Sequence, residues 1–460
     1  MSLEQVLARI DNDSDSALER LFQLVRIPSI SADPAYRDDC RRAADWCAAA
    51  LNEAGFTASV RPTIGHPMVV GHYDGAGADA PHVLFYGHYD VQPVDPLELW
   101  TRDPFDPAVI DFDGEKQISG RGASDDKGQL MTFVEAARAW TEQAGGMPIN
   151  VTVFFEGEEE SASPSMVPFL TENADELKAD VALVCDTNMW DRATPAISTM
   201  LRGLVYEEVF VHAASHDLHS GYYGSAARNP IHVLAGILAG LHDETGRVTI
   251  SGFYDGVPEV SAGQKAQWAK LGFDEKAFFD GIGLSEPAGE AAYSTLEQIW
   301  SRPTAEVNGI TGGYTGEGAK TVIPALASAK ISFRLVGDQD PDRIRESFRA
   351  FVRERLPVDC RAEFLSHGGD RAISQPIDSP WVQKAKNALA DEWGRDAALI
   401  AMGGSIPVVT QFKTLLGMDT VLVGFALEDD RIHSPNEKYN LASFQRGTRS
   451  WARILAALAA

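Results

Sequence analysis

The order of apolar runs and helical periods predicts an α/β fold: a central β-sheet flanked by helices, interrupted by a smaller inserted α+β domain. Three observations carry this. Short apolar runs alternate with helical stretches up to about residue 200, the pattern changes near Gly203, and the first kind of pattern returns near Ser379. At 460 residues the chain exceeds what one hydrophobic core supports, so two domains are expected.

Taken in order, residues 16–26 place Leu18, Leu21, Phe22 and Val25 at helical spacing, and Pro28 ends that helix. Residues 68–70, 83–86, 151–155 and 181–185 read as buried strands, with helices over 129–140 and 167–177 between them. Residues 205–213, 327–336 and 360–365 read as strands, and 229–242 and 341–356 as helices. They give two strand-helix-strand units on one sheet. Residues 251–301, rich in Gly, Pro and acidic residues, break the periodicity and read as an elaboration of that domain. A helix over 379–393, a strand over 420–425 and a closing helix over 441–458 complete the first domain from the other end. The expected division is 1–200 with 374–460, and an insertion over 201–373.

Composition excludes some functions. Hydrophobic residues at 44% and charged residues at 23% describe a globular protein. A formal net charge of −26 argues against a nucleic-acid partner, which needs clustered Lys and Arg. Cys40, Cys47, Cys185 and Cys360 are scattered, so neither a disulfide framework nor a thiolate metal site is suggested. Residues 1–15 are polar and acidic, and no apolar run is long enough to span a bilayer. A cytoplasmic protein with no membrane partner is therefore expected.

Five polar clusters follow strands, where a rigid sheet holds the loops that carry chemistry. In Gly87-His88-Tyr89-Asp90 the His88 imidazole is a candidate metal ligand, with Asp90 on the same face to fix its ring. In Gly120-Arg121-Gly122-Ala123-Ser124-Asp125-Asp126-Lys127-Gly128, Asp125 is placed to bridge two cations. Glu156, Glu158, Glu159 and Glu160 crowd one strand end and repel one another unless cations or protons neutralise some of them. Asp186 closes a hydrophobic strand, and His433 lies in the polar stretch Arg431-Ile432-His433-Ser434-Pro435-Asn436-Glu437. Singly these motifs also fit a strand-end histidine, a helix cap or a solvated acidic loop. Together they supply imidazole and carboxylate ligands suited to two zinc-like ions, leaving Glu159 free to take a proton from water.

The order of these motifs, from Ile27-Pro28-Ser29-Ile30 to His433, resembles the M20 metallopeptidase family of dipeptidases and N-acyl amino acid deacylases. The resemblance implies a zinc-peptidase fold with an inserted lid that dimerises. His88 and Asp186 hold one ion and Glu160 and His433 the other; Asp125 bridges them, Asp90 orients His88, and Glu159 is the general base. The ions are most simply Zn²⁺, with Mn²⁺ or Co²⁺ as alternatives, and a hydroxide between them attacks the peptide carbonyl. Asp217-Leu218-His219-Ser220-Gly221 is similar to a lid motif whose His219 steadies the oxyanion in the neighbouring subunit. Thr321 and Arg334 correspond to residues that grip the substrate, and Gly403-Gly404-Ser405-Ile406-Pro407, with Gly404 and Ser405, to the dipeptidase substrate loop. The Asp125–Asp126 peptide is expected to be cis. Ala401-Met402 stands where many such dipeptidases have Arg-Glu, leaving room for an apolar acyl or aryl group. The implied activity is cleavage of dipeptides or small peptide-like substrates. The alternatives are an N-acyl amino acid deacylase and, from another class, a metal-binding interaction protein without catalysis.

Overall fold

The computed structural model describes residues 2–112 and 114–460; Met1, the first residue of the polar N-terminal stretch, lies outside the described residues. The chain divides into two compact units, one of Met1–Thr199, Gln375–Ile400 and Gln411–Ala460, the other of Met200–Ser374 and Ala401–Thr410. Among the described residues no helix is long and apolar enough to cross a membrane.

In the first unit the strands Thr57–Arg61, Met68–Tyr73, Asn150–Glu156, His82–His88, Val181–Val184, Thr420–Leu422 and Ala196–Leu201 lie side by side in that order. The four from Asn150–Glu156 to Thr420–Leu422 are mutually parallel. They read as unbroken apolar runs because both faces of a parallel sheet are covered. Their register aligns His88 with Glu156 and pairs Val184 with both Tyr86 and Leu422. The carboxyl ends of the parallel strands therefore reach one level, where the loops carrying polar clusters emerge.

The helix Lys127–Ala144 is buried from Lys127 through Trp140, more completely than any amphipathic pattern suggests. Against it packs the closing helix Leu441–Ala459. Phe85 of the sheet stacks on Phe133 with ring centroids 3.7 Å apart, and Trp451 meets both rings edge-on at 5.4 and 5.7 Å. The expected helix over 167–177 is two short ones, Met166–Glu172 and Ala174–Leu177. At the break the Phe169 carbonyl accepts both the Asn173 backbone N–H at 3.0 Å and the Asn173 side-chain amide at 2.8 Å.

The second unit has a four-stranded antiparallel sheet in the order Thr304–Gly312, Leu326–Leu335, Gly203–His212, Arg361–Asp370. Its helices Pro230–Ala239 and Pro341–Arg355 each begin with proline, and the Asn229 and Asp340 side chains accept from their first-turn N–H groups. Gly203–His212 alternates buried and half-buried residues, and Val205, Val209, Val211, Ile331 and Phe333 meet Phe348 and Phe351 beneath the helices. The segment over 251–301 contains the helices Ala262–Trp268, Glu275–Gly281 and Thr295–Trp300, capped by Ser261, Asp274 and Ser294. Each is too short for a helical period to show in the sequence.

Trp451 has no exposed surface, so Trp451→Ala is expected to lower the unfolding free energy by about 3–5 kcal/mol. Val358→Ala, at a fully exposed side chain, should change it by less than about 0.5 kcal/mol. Urea unfolding followed by circular dichroism measures both, and equal midpoints for the two variants would contradict this packing.

Candidate metal centre

His88 is the last residue of its strand, and its backbone N–H donates to Asp126 Oδ2 at 3.0 Å. Ser29 Oγ donates to the Tyr89 carbonyl at 2.7 Å, so the Ile27-Pro28-Ser29-Ile30 segment holds the His88 loop from outside. The imidazole Nδ1 lies 3.1 Å from the Asp90 backbone carbonyl and 3.4 Å from Asp90 Oδ1, so the main chain orients the ring more closely than the carboxylate does. Nε2 faces Asp125 Oδ1 at 3.0 Å and Asp186 Oδ2 at 3.9 Å. Across the site His433 Nε2 lies 2.9 Å from Asp125 Oδ2 and 3.2 Å from Glu160 Oε2.

Two donor groups result, His88 with Asp125 and Asp186, and Asp125 with Glu160 and His433, each with its ligand atoms within 4.8 Å of one another. Asp125 belongs to both and offers one oxygen to each. Its peptide bond to Asp126 is cis. Burial opposes its ionisation, yet hydrogen bonds from His433 and His88 hold its carboxyl below the usual range. The neighbouring carboxylates are less well matched. Burial, then the Asp125 charge, pushes Asp186 up to about 7. Burial pushes Glu159 up to about 9 against the opposing His88, with Asp186 and Glu160 adding to the rise. A nitrogen and oxygen donor set with surplus buried negative charge fits divalent cations.

The acidic run after Asn150–Glu156 does not crowd as the sequence suggests. Glu156 turns back to accept from Tyr86 OH at 2.7 Å. Glu158 accepts from the backbone N–H groups of His66 at 2.7 Å and Ser165 at 3.0 Å. Both carboxylates hold the loop; the repulsion argument applies only to Glu159 and Glu160. Glu160 is fixed by its N–H on Asp90 Oδ2 at 3.1 Å and by Gln92 Nε2 on its Oε2 at 2.7 Å. The Glu159 carboxylate takes no hydrogen bond from the described residues.

Sequence reasoning gave Glu437 no role, and the structure gives it a large one. Its carboxylate has no exposed surface and accepts from Gly122 N at 3.0 Å, Ser124 N at 2.9 Å, Asp125 N at 3.1 Å and Arg121 Nη1 at 2.7 Å. It ties the Asp125 loop to the loop bearing His433. Gly122 must be glycine here, since its φ is +81° and a Cβ would meet Val91 Cγ1 at 2.6 Å. On the other loop Arg431, His433 and Asn436 adopt left-handed backbone, and Asn436 anchors it by accepting from Thr101 N at 2.7 Å. The signal in the sequence was the glycine-rich loop itself, whose run of N–H groups and Arg121 demands a buried acceptor.

In the inserted unit the structure places the remaining site residues in two groups. Exposed His219 ends the short strand Leu218–His219, which pairs with Val322–Ile323, and its Nδ1 accepts from Gly221 N at 2.9 Å. Thr321 lies beside it, its carbonyl accepting from Ser220 N at 3.0 Å. Arg334 contacts Ser405 Oγ through Nη1 at 3.5 Å, and the Gly404 carbonyl accepts from Arg202 N at 3.1 Å.

Residues 84–457 match the model of Peptidase family M20/M25/M40. The chain belongs to this family. Among its relatives, the Cys-Gly metallodipeptidase of Schizosaccharomyces pombe is 30% identical over 100% of this chain and 99% of its own length. The Beta-Ala-His dipeptidase of Homo sapiens is 27% identical over 99% of this chain and 93% of its own. The solved structure of an M20 family metallo-carboxypeptidase from Sulfolobus solfataricus superposes with a TM-score of 0.83 at 30% identity, covering 96% of this chain and 99% of that one.

In this M20 chain Glu437→Gln should weaken divalent-metal binding by about tenfold or more, because an amide cannot accept from all four donors. Calorimetric titration of metal-stripped protein checks this, and an unchanged affinity would remove Glu437 from the account.

Proposed function

We propose that the chain is a two-metal dipeptidase, hydrolysing the peptide bond of dipeptides or small peptide-like substrates. The observation that carries this is the pair of donor groups sharing Asp125. His88 and Asp186 hold one divalent ion, Glu160 and His433 the other, and Asp125 both; zinc is the proposed ion, with manganese and cobalt as substitutes. Bound there, two cations supply Lewis acidity that polarises the scissile carbonyl and lowers the pKa of a nearby water.

The chain's own residues do the rest. Glu159 accepts the proton of the attacking water as the new C–O bond forms, and returns it to the leaving nitrogen as the C–N bond breaks. Taking no hydrogen bond from the described residues, beside the firmly held Glu160, its carboxylate is suited to carry a proton. Arg334 takes the substrate carboxylate, with Thr321 and the Gly404-Ser405 loop around it. His219, with its Nδ1 occupied by Gly221 N, keeps Nε2 for the carbonyl oxygen of a substrate in the neighbouring subunit of a homodimer. Cys40, Cys47, Cys185 and Cys360 are all free thiols, consistent with a cytoplasmic enzyme. The dipeptidase names of relatives that match almost the whole chain favour this reading over a deacylase of N-acyl amino acids.

Glu159→Gln should retain metal and lose turnover by about 10²- to 10⁴-fold. Metal content by atomic emission and release of free amine from a dipeptide panel measure the two properties; a variant working at wild-type rate would displace Glu159 from its role. In the wild type, activity on dipeptides should vanish with chelator and return with Zn²⁺. N-acyl amino acids cleaved faster than every dipeptide would reverse the substrate assignment.

A further inference from the structure

The inserted unit holds two guanidinium groups that form no ion pair with any described carboxylate. Arg202 directly precedes the strand Gly203–His212 and Arg334 lies near the end of Leu326–Leu335. Both close on one short loop. Arg202 donates its backbone N–H to the Gly404 carbonyl at 3.1 Å and Nε to the Gly403 carbonyl at 2.8 Å, while Arg334 Nη1 meets Ser405 Oγ at 3.5 Å. A third carbonyl, of Arg302, lies 3.5 Å from Arg202 Nη1. A Cβ on residue 403 would stand 2.8 Å from Arg202 Nη2, so glycine lets the guanidinium lie against the loop.

Carbonyls satisfy N–H donors without cancelling a charge, and the preceding Ala401 and Met402 bring none. Burial and the facing Arg334 charge pull Arg202 down to about 10, and burial lowers Arg334. Glu306 alone among the described acidic groups favours the charged form of Arg202, and it forms no ion pair with it. Partly buried cations of like sign repel, and arginines withdrawn from water are ordinarily paired. Both Nη2 hydrogens of Arg202 remain without a partner among the described residues.

We propose that Arg202 and Arg334 form a two-cation subsite for a substrate whose C-terminal residue carries a second carboxylate, an aspartyl or glutamyl end. Arg334 takes the α-carboxylate and Arg202 the side-chain carboxylate. This rests on the dipeptidase reading and on its use of Arg334; Arg202 adds selection between acidic and neutral C-terminal residues.

The test compares alanyl-glutamate with alanyl-glutamine, nearly equal in shape and different in charge, on the zinc-loaded full-length enzyme. The expected kcat/KM ratio favours glutamate by about tenfold or more, the scale of one charge-assisted hydrogen-bond pair. Arg202→Met should bring that ratio near one, chiefly through KM, and Arg202→Lys should restore part of it. A wild-type ratio of one or below, or an Arg202→Met loss equal on both substrates, overturns the proposal; the latter would mean that Arg202 only holds the loop. If neither dipeptide is cleaved, the dipeptidase reading has failed, and the subsite is then judged separately. Calorimetry with free glutamate and glutamine should show a preference for glutamate that Arg202→Met abolishes, and equal binding of the two overturns the subsite.

Discussion

The Asp125 carboxylate stands between two imidazoles, one oxygen 3.0 Å from His88 and the other 2.9 Å from His433. Both histidines and both flanking carboxylates, Asp186 and Glu160, are arranged about it. A carboxylate proposed to serve two ions works only if its position is fixed to a fraction of an ångström, and several contacts of the larger unit fix it. Its N–H is bound by Glu437, its neighbour Asp126 accepts from the His88 backbone, and the helix that follows is buried over more than half its length.

The sheet contributes through register. Parallel strands that end at one level bring His88, Glu160, Asp186 and His433 to one site from sequence positions hundreds of residues apart. Behind them Phe85, Phe133 and Trp451 lock strand to helix. Rigid packing suits this chemistry, because buried carboxylates held near one another remain strongly attractive to cations instead of relaxing apart.

Much of this was legible in the sequence. The parallel strands declare themselves as apolar runs, and each proposed ligand follows such a run or sits in the glycine-rich loop. Other features were hidden by their nature. Glu437 meets donors more than 300 residues earlier in the chain, a pairing that no local pattern encodes. Glu156 and Glu158 look equivalent to Glu159 and Glu160 in sequence; only the backbone turn after the strand sends the first pair toward Tyr86, His66 and Ser165. The edge strand Thr304–Gly312 is mostly exposed and carries a bulge between Val307 and Gly309, so its alternation is blurred. Arg202 resembles any charged residue flanking a strand until it is seen to form no ion pair among the described residues.

The most direct test of the shared carboxylate is a calorimetric zinc titration of metal-stripped wild type and Asp125→Asn. Two ions per chain in the wild type, with both affinities reduced together in the variant, is the predicted result. One ion per chain, or a variant that loses one site and keeps the other at wild-type affinity, would contradict it.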